Sequence, residues 1–349
     1  MDYTKPRPEL YNVPQSTDSF HGMPYRTLGR SGLRASVVGL GTWKFGYPHT
    51  GDGARVDEKT ALAILDRAVE LGVTFWDTAN RYNQASGNSE RIIGTWLKNN
   101  PDQRRNIVLA TKIGGGMDGY SPNHGGLSRL NITEAVYASL ARLGVDSIDL
   151  LYFHRFDPIT PPEESLETVA DLVQRGIIHY FGVSNFTVDQ LKMYQAWQEG
   201  KGSRGRVIAV QNQFDILGGE NPAHQGVLAH AAATGVSFIA HGPLRRGLLT
   251  DRYLDPSKVG PGDRLVDEGL MDSVKPEELE KVRRLAAIAR EGGLTTSQLV
   301  LAYMLTLPGM GPVIPAASTV AQLEENARAG SVQLSDELIT QIRAALQDD

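Results

Sequence analysis

The sequence contains no cysteine, which excludes disulfide bonds and catalysis by a thiolate. A chain without cysteine suits a reducing compartment, and we expect a cytoplasmic protein. No apolar run reaches the length of a membrane span, and residues 1–24 lack the apolar core of a signal peptide. The basic residues form no tract and the formal net charge is −5, so neither a membrane nor a nucleic acid is expected as a partner.

What the chain does contain is a regular alternation of short apolar runs and longer amphipathic stretches. The apolar runs predict buried strands over residues 37–40, 73–76, 107–110, 148–153, 180–183, 207–210, 237–240 and 311–314. Helices are predicted over residues 60–71, 90–97, 132–143, 165–174, 188–197, 226–234, 276–291, 297–307, 320–329 and 336–346. Eight strands that each precede a helix predict an α/β fold of the (β/α)8 TIM barrel type.

The ends of the chain are expected to add to this barrel. Residues 1–24 predict an extended arm, and residues 25–349 predict a single barrel domain that opens with a hairpin and ends with two extra helices. The alternative, an open doubly wound sheet, would carry a glycine-rich phosphate loop after its first strand, and residues 39–43 lack the third glycine. Helix N-caps are predicted at Thr133, Thr187 and Ser335.

Polar residues follow the predicted strands, at the rim where barrel enzymes hold their chemistry. They are Asp77, Tyr82, Lys112, His154, Ser184, Asn185, Gln211, Asn212, His241 and Ser318. Taken singly, each has an ordinary structural explanation, such as a solvated charge or a hydrogen-bonded histidine. Taken together, the first four supply the group types that carbonyl reduction uses.

Each of these four side chains has a role in such a reaction. Addition of hydride to a carbonyl leaves negative charge on oxygen, which needs a proton donor. Tyr82 is the predicted acid, and the Lys112 ammonium is expected to lower the tyrosine pKa from its ordinary value of about 10. Asp77 would anchor Lys112, and a neutral His154 would orient the carbonyl oxygen.

Other chemistries have less support in the sequence. No metal site is predicted, because His154 has only Asp157 near it and no second histidine at a matching strand end. A nucleophilic serine would need a histidine base, and Ser184 with His154 is the one candidate pairing.

Several motifs succeed one another along the chain: YRTLGRSGLRASVVGLGTW, FWDTANRY, ATKIG, LLYFHRFD, GVSNF, VQNQF, GPLRRGLLTDR and IPAASTVAQLEEN. In this order they resemble the aldo-keto reductases, from about Tyr25 to the final helix. The second, third and fourth motifs carry Asp77, Tyr82, Lys112 and His154. The last motif is most similar to bacterial reductases akin to the potassium-channel beta subunits.

The resemblance implies a barrel that binds NADP(H) or NAD(H) and assigns its contacts. The backbone of Gly41, Thr42 and Trp43 would lie near the nicotinamide ribose. Ser184, Asn185 and Gln211 would hold the carboxamide, Asp77 would also lie at the cofactor, and His241 stands where an aromatic residue commonly stacks on the nicotinamide. The residues assigned to the pyrophosphate are Gly242, Pro243, Leu244, Arg245 and Arg246, with Arg252 nearby. Those assigned to the adenosine end are Ser318, Gln322, Glu325 and Asn326.

NADPH is the expected cofactor, with NADH as the second candidate. The family often has glycine at Ala316 and, in some branches, a basic residue near Ala317, so these two positions argue against a 2′-phosphate site there. Ser318, Gln322 and Arg264 match the way in which the resembled branch holds that phosphate.

The resemblance implies reduction of an aldehyde or ketone, or the reverse oxidation of an alcohol or sugar, so a small carbonyl or alcohol compound is the expected partner. The alternative is a regulatory or subunit-type protein on the same fold, which binds the cofactor and turns over slowly. The substrate, the direction and the oligomeric state stay open at this point.

Overall fold

A computed structural model of the chain describes residues 18–47, 56–117 and 121–347. Its strands are β1 (Ser19–Phe20), β2 (Met23–Thr27), β3 (Arg34–Ser36), β4 (Leu40–Gly41), β5 (Phe75–Asp77), β6 (Val108–Ile113), β7 (Ile148–Phe153), β8 (Ile178–Ser184), β9 (Val207–Asp215), β10 (Gly219–Glu220), β11 (Ser237–His241) and β12 (Met310–Ile314). Its helices are α1 (Glu58–Glu70), α2 (Tyr82–Ala85), α3 (Asn88–Asn99), α4 (Arg129–Leu143), α5 (Pro162–Gln174), α6 (Val188–Gln198), α7 (Val227–Thr234), α8 (Arg264–Asp267), α9 (Pro276–Glu291), α10 (Thr296–Met304), α11 (Val320–Arg328) and α12 (Asp336–Leu346).

The predicted barrel is confirmed. Parallel strands pair in the order β4, β5, β6, β7, β8, β9, β11 and β12, and β10 adds a short antiparallel pairing to β9. Parallel bridges from Val38 to Val313 and from Gly41 to Ala316 connect the first strand to the last. The sheet thus closes on itself, and all eight barrel strands direct their carboxyl ends to one rim.

Alternation along the strands divides the core into an inner and an outer layer. On β7, Leu150 and Tyr152 belong to the buried cluster inside the barrel, whereas Leu151 and Phe153 belong to the larger cluster between sheet and helices. This alternation follows from the two-residue period of a strand. Among the described residues, no helix is both long and apolar enough to cross a membrane.

An antiparallel sheet of β1, β2 and β3 covers the end of the barrel opposite the rim. Leu28 is fully buried with the inner cluster, and the backbone N–H of Gly29 donates to Ser237 Oγ at 2.7 Å. A Cβ atom at Gly29 would clash with the carbonyl oxygen of Ile208, so only glycine fits this approach. A substrate or cofactor would therefore approach the barrel from the rim.

The hairpin begins earlier than predicted, because β1 starts at Ser19 and β2 at Met23, so the predicted arm over residues 1–24 includes part of this sheet. Residues 1–17 of that arm lie outside the described residues. The N-caps at Thr187 and Ser335 are confirmed. The N-cap at Thr133 is wrong: Ser128 caps α4, and Thr133 sits inside the helix with its hydroxyl bonded to the carbonyl of Arg129.

Candidate active site

Four predicted side chains meet at the carboxyl ends of neighbouring strands. Asp77 ends β5, Lys112 lies one residue before the end of β6, His154 follows β7, and Tyr82 opens α2. The backbone N–H of Asn80 donates to the Lys112 carbonyl at 3.0 Å, which fastens the loop after β5 to β6. This loop carries Tyr82 to the ammonium group of Lys112.

The Lys112 ammonium is the centre of the cluster. Its Nζ donates to Asp77 Oδ1 at 2.5 Å, to the Thr78 carbonyl at 2.9 Å and to the Tyr82 hydroxyl at 2.8 Å. Gln211 Nε2 donates to the second oxygen of Asp77 at 2.7 Å. An ammonium has three N–H groups, so this one is fully satisfied and held in one orientation.

Burial and the charge of a hydrogen-bonded neighbour shift the pKa values of Lys112 and Tyr82 in opposite directions. Burial alone would lower the pKa of Lys112, but Asp77 and Tyr82 raise it above its ordinary value, and the ammonium keeps its charge. Burial raises the pKa of Tyr82, and this effect outweighs the attraction of Lys112, which lowers it. The predicted net lowering of the tyrosine pKa is therefore wrong, although Lys112 acts in the predicted direction. The phenol stays protonated at neutral pH, as a proton donor must.

His154 is neutral at physiological pH. Burial is the main cause that lowers the pKa of His154 to about 3, and the charge of Lys112 adds to it. The His154 ring lies edge-on to the Tyr82 ring, with 6.1 Å between the ring centroids. A neutral imidazole with one N–H can donate to a carbonyl oxygen next to the phenol. Burial likewise lowers the pKa of His241, which ends β11, to about 4.

A left-handed turn follows Tyr82 directly, and the sequence analysis did not predict it. Asn83, Gln84 and Ala85 have φ angles of 61°, 58° and 58°. Such angles strain a residue with a side chain, although asparagine tolerates them best. The Asn83 Oδ1 atom accepts from the backbone N–H of Tyr47 at 3.3 Å and from Asn88 Nδ2 at 2.7 Å. The asparagine is the one local signal that could have indicated this turn.

A cavity of about 1120 Å³ opens above these groups. Pockets for drug-sized ligands usually measure about 300–1,000 Å³, so this cavity has room for a dinucleotide and a small substrate together. Among its lining residues are Asp77, Tyr82, His154 and all but one of the predicted cofactor residues: Gly41, Trp43, Ser184, Asn185, Gln211, His241, Gly242, Pro243, Leu244, Arg245, Arg246, Arg252, Arg264, Ser318, Gln322, Glu325 and Asn326. The exception is Thr42, whose buried hydroxyl bonds the Asp77 carbonyl and Ser89 instead.

Comparison with known proteins agrees with this geometry. Residues 37–347 match the family described as the Aldo/keto reductase family. The chain belongs to that family.

Three relatives of this aldo/keto reductase show that similar sequences carry different names. Aldo-keto reductase AFTS1 of Alternaria alternata is 34% identical over 97% of this chain and 95% of its own. A protein named "Probable voltage-gated potassium channel subunit beta" of Oryza sativa subsp. japonica is 31% identical over 93% of this chain and 97% of its own. The uncharacterized oxidoreductase YrpG of Bacillus subtilis (strain 168) is 33% identical over 91% and 94%.

The donors of this aldo/keto reductase fit a nicotinamide dinucleotide in chemical type. Ser184 Oγ and the Asn185 amide lie 3.1 Å apart, and Asn185 Nδ2 also donates to the His154 carbonyl at 2.9 Å. These hydroxyl and amide groups border the cavity with Gln211, near Tyr82, and suit a carboxamide. Among the described residues, no group of three or more histidines, aspartates or glutamates is placed to hold a metal ion.

The arginines expected at the phosphates are each held by carboxylates. Arg245 pairs with Asp215 and Glu278, and Arg252 pairs with Asp263. Arg246 and Arg264 share Glu268, with N–O distances of 2.9 Å and 2.6 Å. The Arg264 guanidinium also lies 4.4 Å from the centre of the Trp43 ring. A cofactor phosphate would therefore compete with these carboxylates for the arginines.

Proposed function

We propose that this aldo/keto reductase catalyses reversible, nicotinamide-dependent reduction of aldehydes or ketones. The observation that carries the proposal is the bond from the buried Lys112 ammonium to the Tyr82 hydroxyl, beside a cavity that Tyr82 and His154 border. The nicotinamide supplies hydride when it is bound. The protein's own part is to hold the carbonyl oxygen and to deliver a proton to it.

The proton comes from Tyr82 in this mechanism. The neutral His154 orients the carbonyl oxygen toward the phenol, and the Tyr82 hydroxyl donates its proton as negative charge develops on that oxygen. Lys112 stabilises the phenolate that remains, and Asp77 keeps Lys112 in position. In the reverse direction, the phenolate accepts the proton of an alcohol.

The experiment is a panel of neutral aldehydes and ketones, offered with NADPH and with NADH that carry deuterium at the transferable C4 position. Transfer of deuterium to the alcohol carbon, read by mass spectrometry, is the expected result. Transfer of deuterium from neither nucleotide to any carbonyl of the panel would contradict the proposal.

A second candidate is a cofactor-binding subunit with slow turnover, which the potassium-channel naming of several relatives favours. The complete set of Asp77, Tyr82, Lys112 and His154 favours the enzyme. Steady-state turnover in the deuterium experiment separates the two, because a subunit of this kind would give little more than a single turnover of bound nucleotide.

For the cofactor we propose a preference for NADPH, with Arg264, Ser318 and Gln322 at the 2′-phosphate. Arginine suits a phosphate because its guanidinium makes paired, charge-assisted hydrogen bonds. Arg264 would have to exchange Glu268 for that phosphate. Arg264→Ala should therefore weaken NADPH binding by roughly 10- to 150-fold, the equivalent of about 1.5–3 kcal/mol, and change NADH binding little.

Fluorescence quenching gives both dissociation constants for the wild type and for Arg264→Ala. Arg246→Ala is the matched control, since Arg246 shares Glu268 but is assigned to the pyrophosphate and should weaken both nucleotides alike. Equal losses for NADPH and NADH in Arg264→Ala would remove Arg264 from the 2′-phosphate.

A further inference from the structure

Two arginines stand directly beside the reacting groups. Arg81 precedes Tyr82 in the chain, and Arg155 follows His154. Both side chains are exposed, and both border the same cavity as Tyr82 and His154. They therefore lie where a substrate must pass or rest, and neither is assigned to the cofactor.

These two arginines differ from the other arginines of the cavity. Arg245, Arg246, Arg252 and Arg264 each pair with a carboxylate. Within the described ranges, by contrast, the guanidinium groups of Arg81 and Arg155 make no ion pair or hydrogen bond. A cation that is held near a reaction site without a protein counter-ion is free to bind an anionic group of a ligand.

The carboxylates that border the cavity are already engaged elsewhere. Asp77 binds Lys112, Asp263 binds Arg252, and Glu278 binds Arg245. Asp251 accepts from Thr296, and Glu325 accepts from Thr295 at 3.0 Å. None of these five carboxylates therefore pairs with Arg81 or Arg155.

The surroundings of Arg81 and Arg155 support this placement. The Arg81 side chain lies across Gly115, where a Cβ atom would clash with its Cδ atom, so the glycine makes room for the guanidinium. Burial is the largest cause of the low pKa of His154, and the charges of Arg155 and Arg81 lower it further, which requires both cations to lie near the imidazole.

We propose that Arg81 and Arg155 form an anion subsite that selects carbonyl substrates carrying a carboxylate or a phosphate. The subsite rests on the proposed reductase function, because it binds the substrate of that same reaction. A guanidinium makes paired hydrogen bonds to either anion, so the shared recognition chemistry is a set of negatively charged oxygens near the carbonyl.

The test compares pairs of substrates in which one member carries the anionic group and the other is neutral. The first pair is 4-carboxybenzaldehyde and methyl 4-formylbenzoate, and the second is glyceraldehyde 3-phosphate and glyceraldehyde. The wild type should show a kcat/KM at least about 10-fold higher for the anion of at least one pair, the scale of one hydrogen bond to a charged group. The pair that shows it identifies carboxylate or phosphate as the anion, and added salt should shrink the preference.

The variants Arg81→Gln and Arg155→Gln should each reduce that ratio about 10-fold, mainly through KM. Gly115→Ala should reduce it as well, because the new methyl group displaces Arg81 without removing its charge. Arg175→Gln is the control for charge alone: Arg175 is an exposed arginine directly after α5 that pairs with Asp171, outside the cavity, and its loss should leave the ratio unchanged.

Failure of the subsite is distinct from failure of the reductase. A wild type that reduces neutral carbonyls without favouring either anion overturns the subsite and leaves the reductase intact. Titration calorimetry with benzoate and with inorganic phosphate tests binding without turnover. Binding that is equal in the wild type and in the Arg81→Gln/Arg155→Gln double variant also overturns the subsite, even in a protein that reduces nothing.

Discussion

Tyr82 carries the proton in the proposed reaction, and its hydroxyl can be removed without changing the ring. We expect Tyr82→Phe to lower kcat by at least about 100-fold, because loss of a general acid usually costs that much. The dissociation constant of NADPH should change little, since the phenol faces the substrate. Steady-state kinetics and fluorescence titration measure the two effects, and a kcat close to that of the wild type would remove Tyr82 from this role.

The charges of Lys112 and Asp77 both shift the pKa of Tyr82. Lys112→Met should raise the tyrosine pKa further, because burial then acts without the opposing ammonium. Asp77→Asn should instead lower the tyrosine pKa, because the charge of Asp77 raises it and the variant leaves the ammonium in the cluster. Ultraviolet difference titration, with Tyr82→Phe as the blank, measures the pKa in each protein. The same pKa with and without Lys112 would contradict the proposed coupling.

At this scale, the sequence was sufficient to predict that Asp77, Lys112 and His154 lie together, because each follows a predicted strand and parallel strands end at one rim. Tyr82 follows on the loop after Asp77. It was not sufficient for the pKa of Tyr82, since burial against neighbouring segments decides the direction of that shift. Arg81 and Arg155 were missed for a similar reason. A loop arginine looks the same in the sequence whether a carboxylate lies beside it or not.

The element that positions Tyr82 is the left-handed turn from Asn83 to Ala85. Alanine at position 83 would occupy a left-handed conformation at a cost of about 1–2 kcal/mol and would lose the accepted hydrogen bonds. We therefore expect Asn83→Ala to lower the free energy of unfolding by about 1–3 kcal/mol and to lower kcat, because the turn that holds the phenol on Lys112 loosens.

Urea denaturation and steady-state kinetics check this prediction. Asn83→Gly is the matched control, since it accepts the same φ angle but also lacks the amide. If the hydrogen bonds to the Asn83 side chain matter, Asn83→Gly should still have a lower kcat than the wild type, by less than Asn83→Ala. An alanine variant as stable and as active as the wild type would show that the turn is not held by this residue.

The long elements were predictable, and the short ones were not. Strand β7 and helices α9 and α12 have the predicted bounds, because their apolar periodicity is clear over many residues. Helix α4 begins at Arg129 rather than near Ile132, and the mixed residues of its first turn gave no periodic signal. The turn at Asn83 and the helix α8 within the long loop depend on contacts with distant segments, which local pattern cannot represent.

At the scale of the whole molecule, one face of the barrel is closed by the antiparallel sheet of β1 to β3, and the other holds the cavity. The closed face therefore contributes packing, and the open face holds the groups of the proposed reaction. Two partly buried histidines, His154 and His241, nevertheless connect the cavity to the stability of the fold, because partial burial keeps both of them neutral.

The sign of that connection follows from proton binding. The pKa values of His154 and His241 are lowered to about 3 and about 4 in the folded protein, from an ordinary value of about 6.5. Between these limits the unfolded chain binds protons that the folded protein does not. The contribution that these two neutral histidines make to stability is therefore fully present above pH 6.5. It is lost as the pH falls toward 4, by up to about 1.4 kcal/mol per pH unit for each histidine.

We expect the free energy of unfolding, measured by urea denaturation from pH 7.5 to pH 4.5, to fall steadily below pH 6.5. The double variant His154→Gln/His241→Gln should show a shallower dependence, because neither side chain can then take up a proton on unfolding. His179→Gln, a variant of a half-exposed histidine outside the cavity, controls for the loss of a histidine as such. An unchanged slope in the double variant would show that the two cavity histidines do not oppose folding at acid pH.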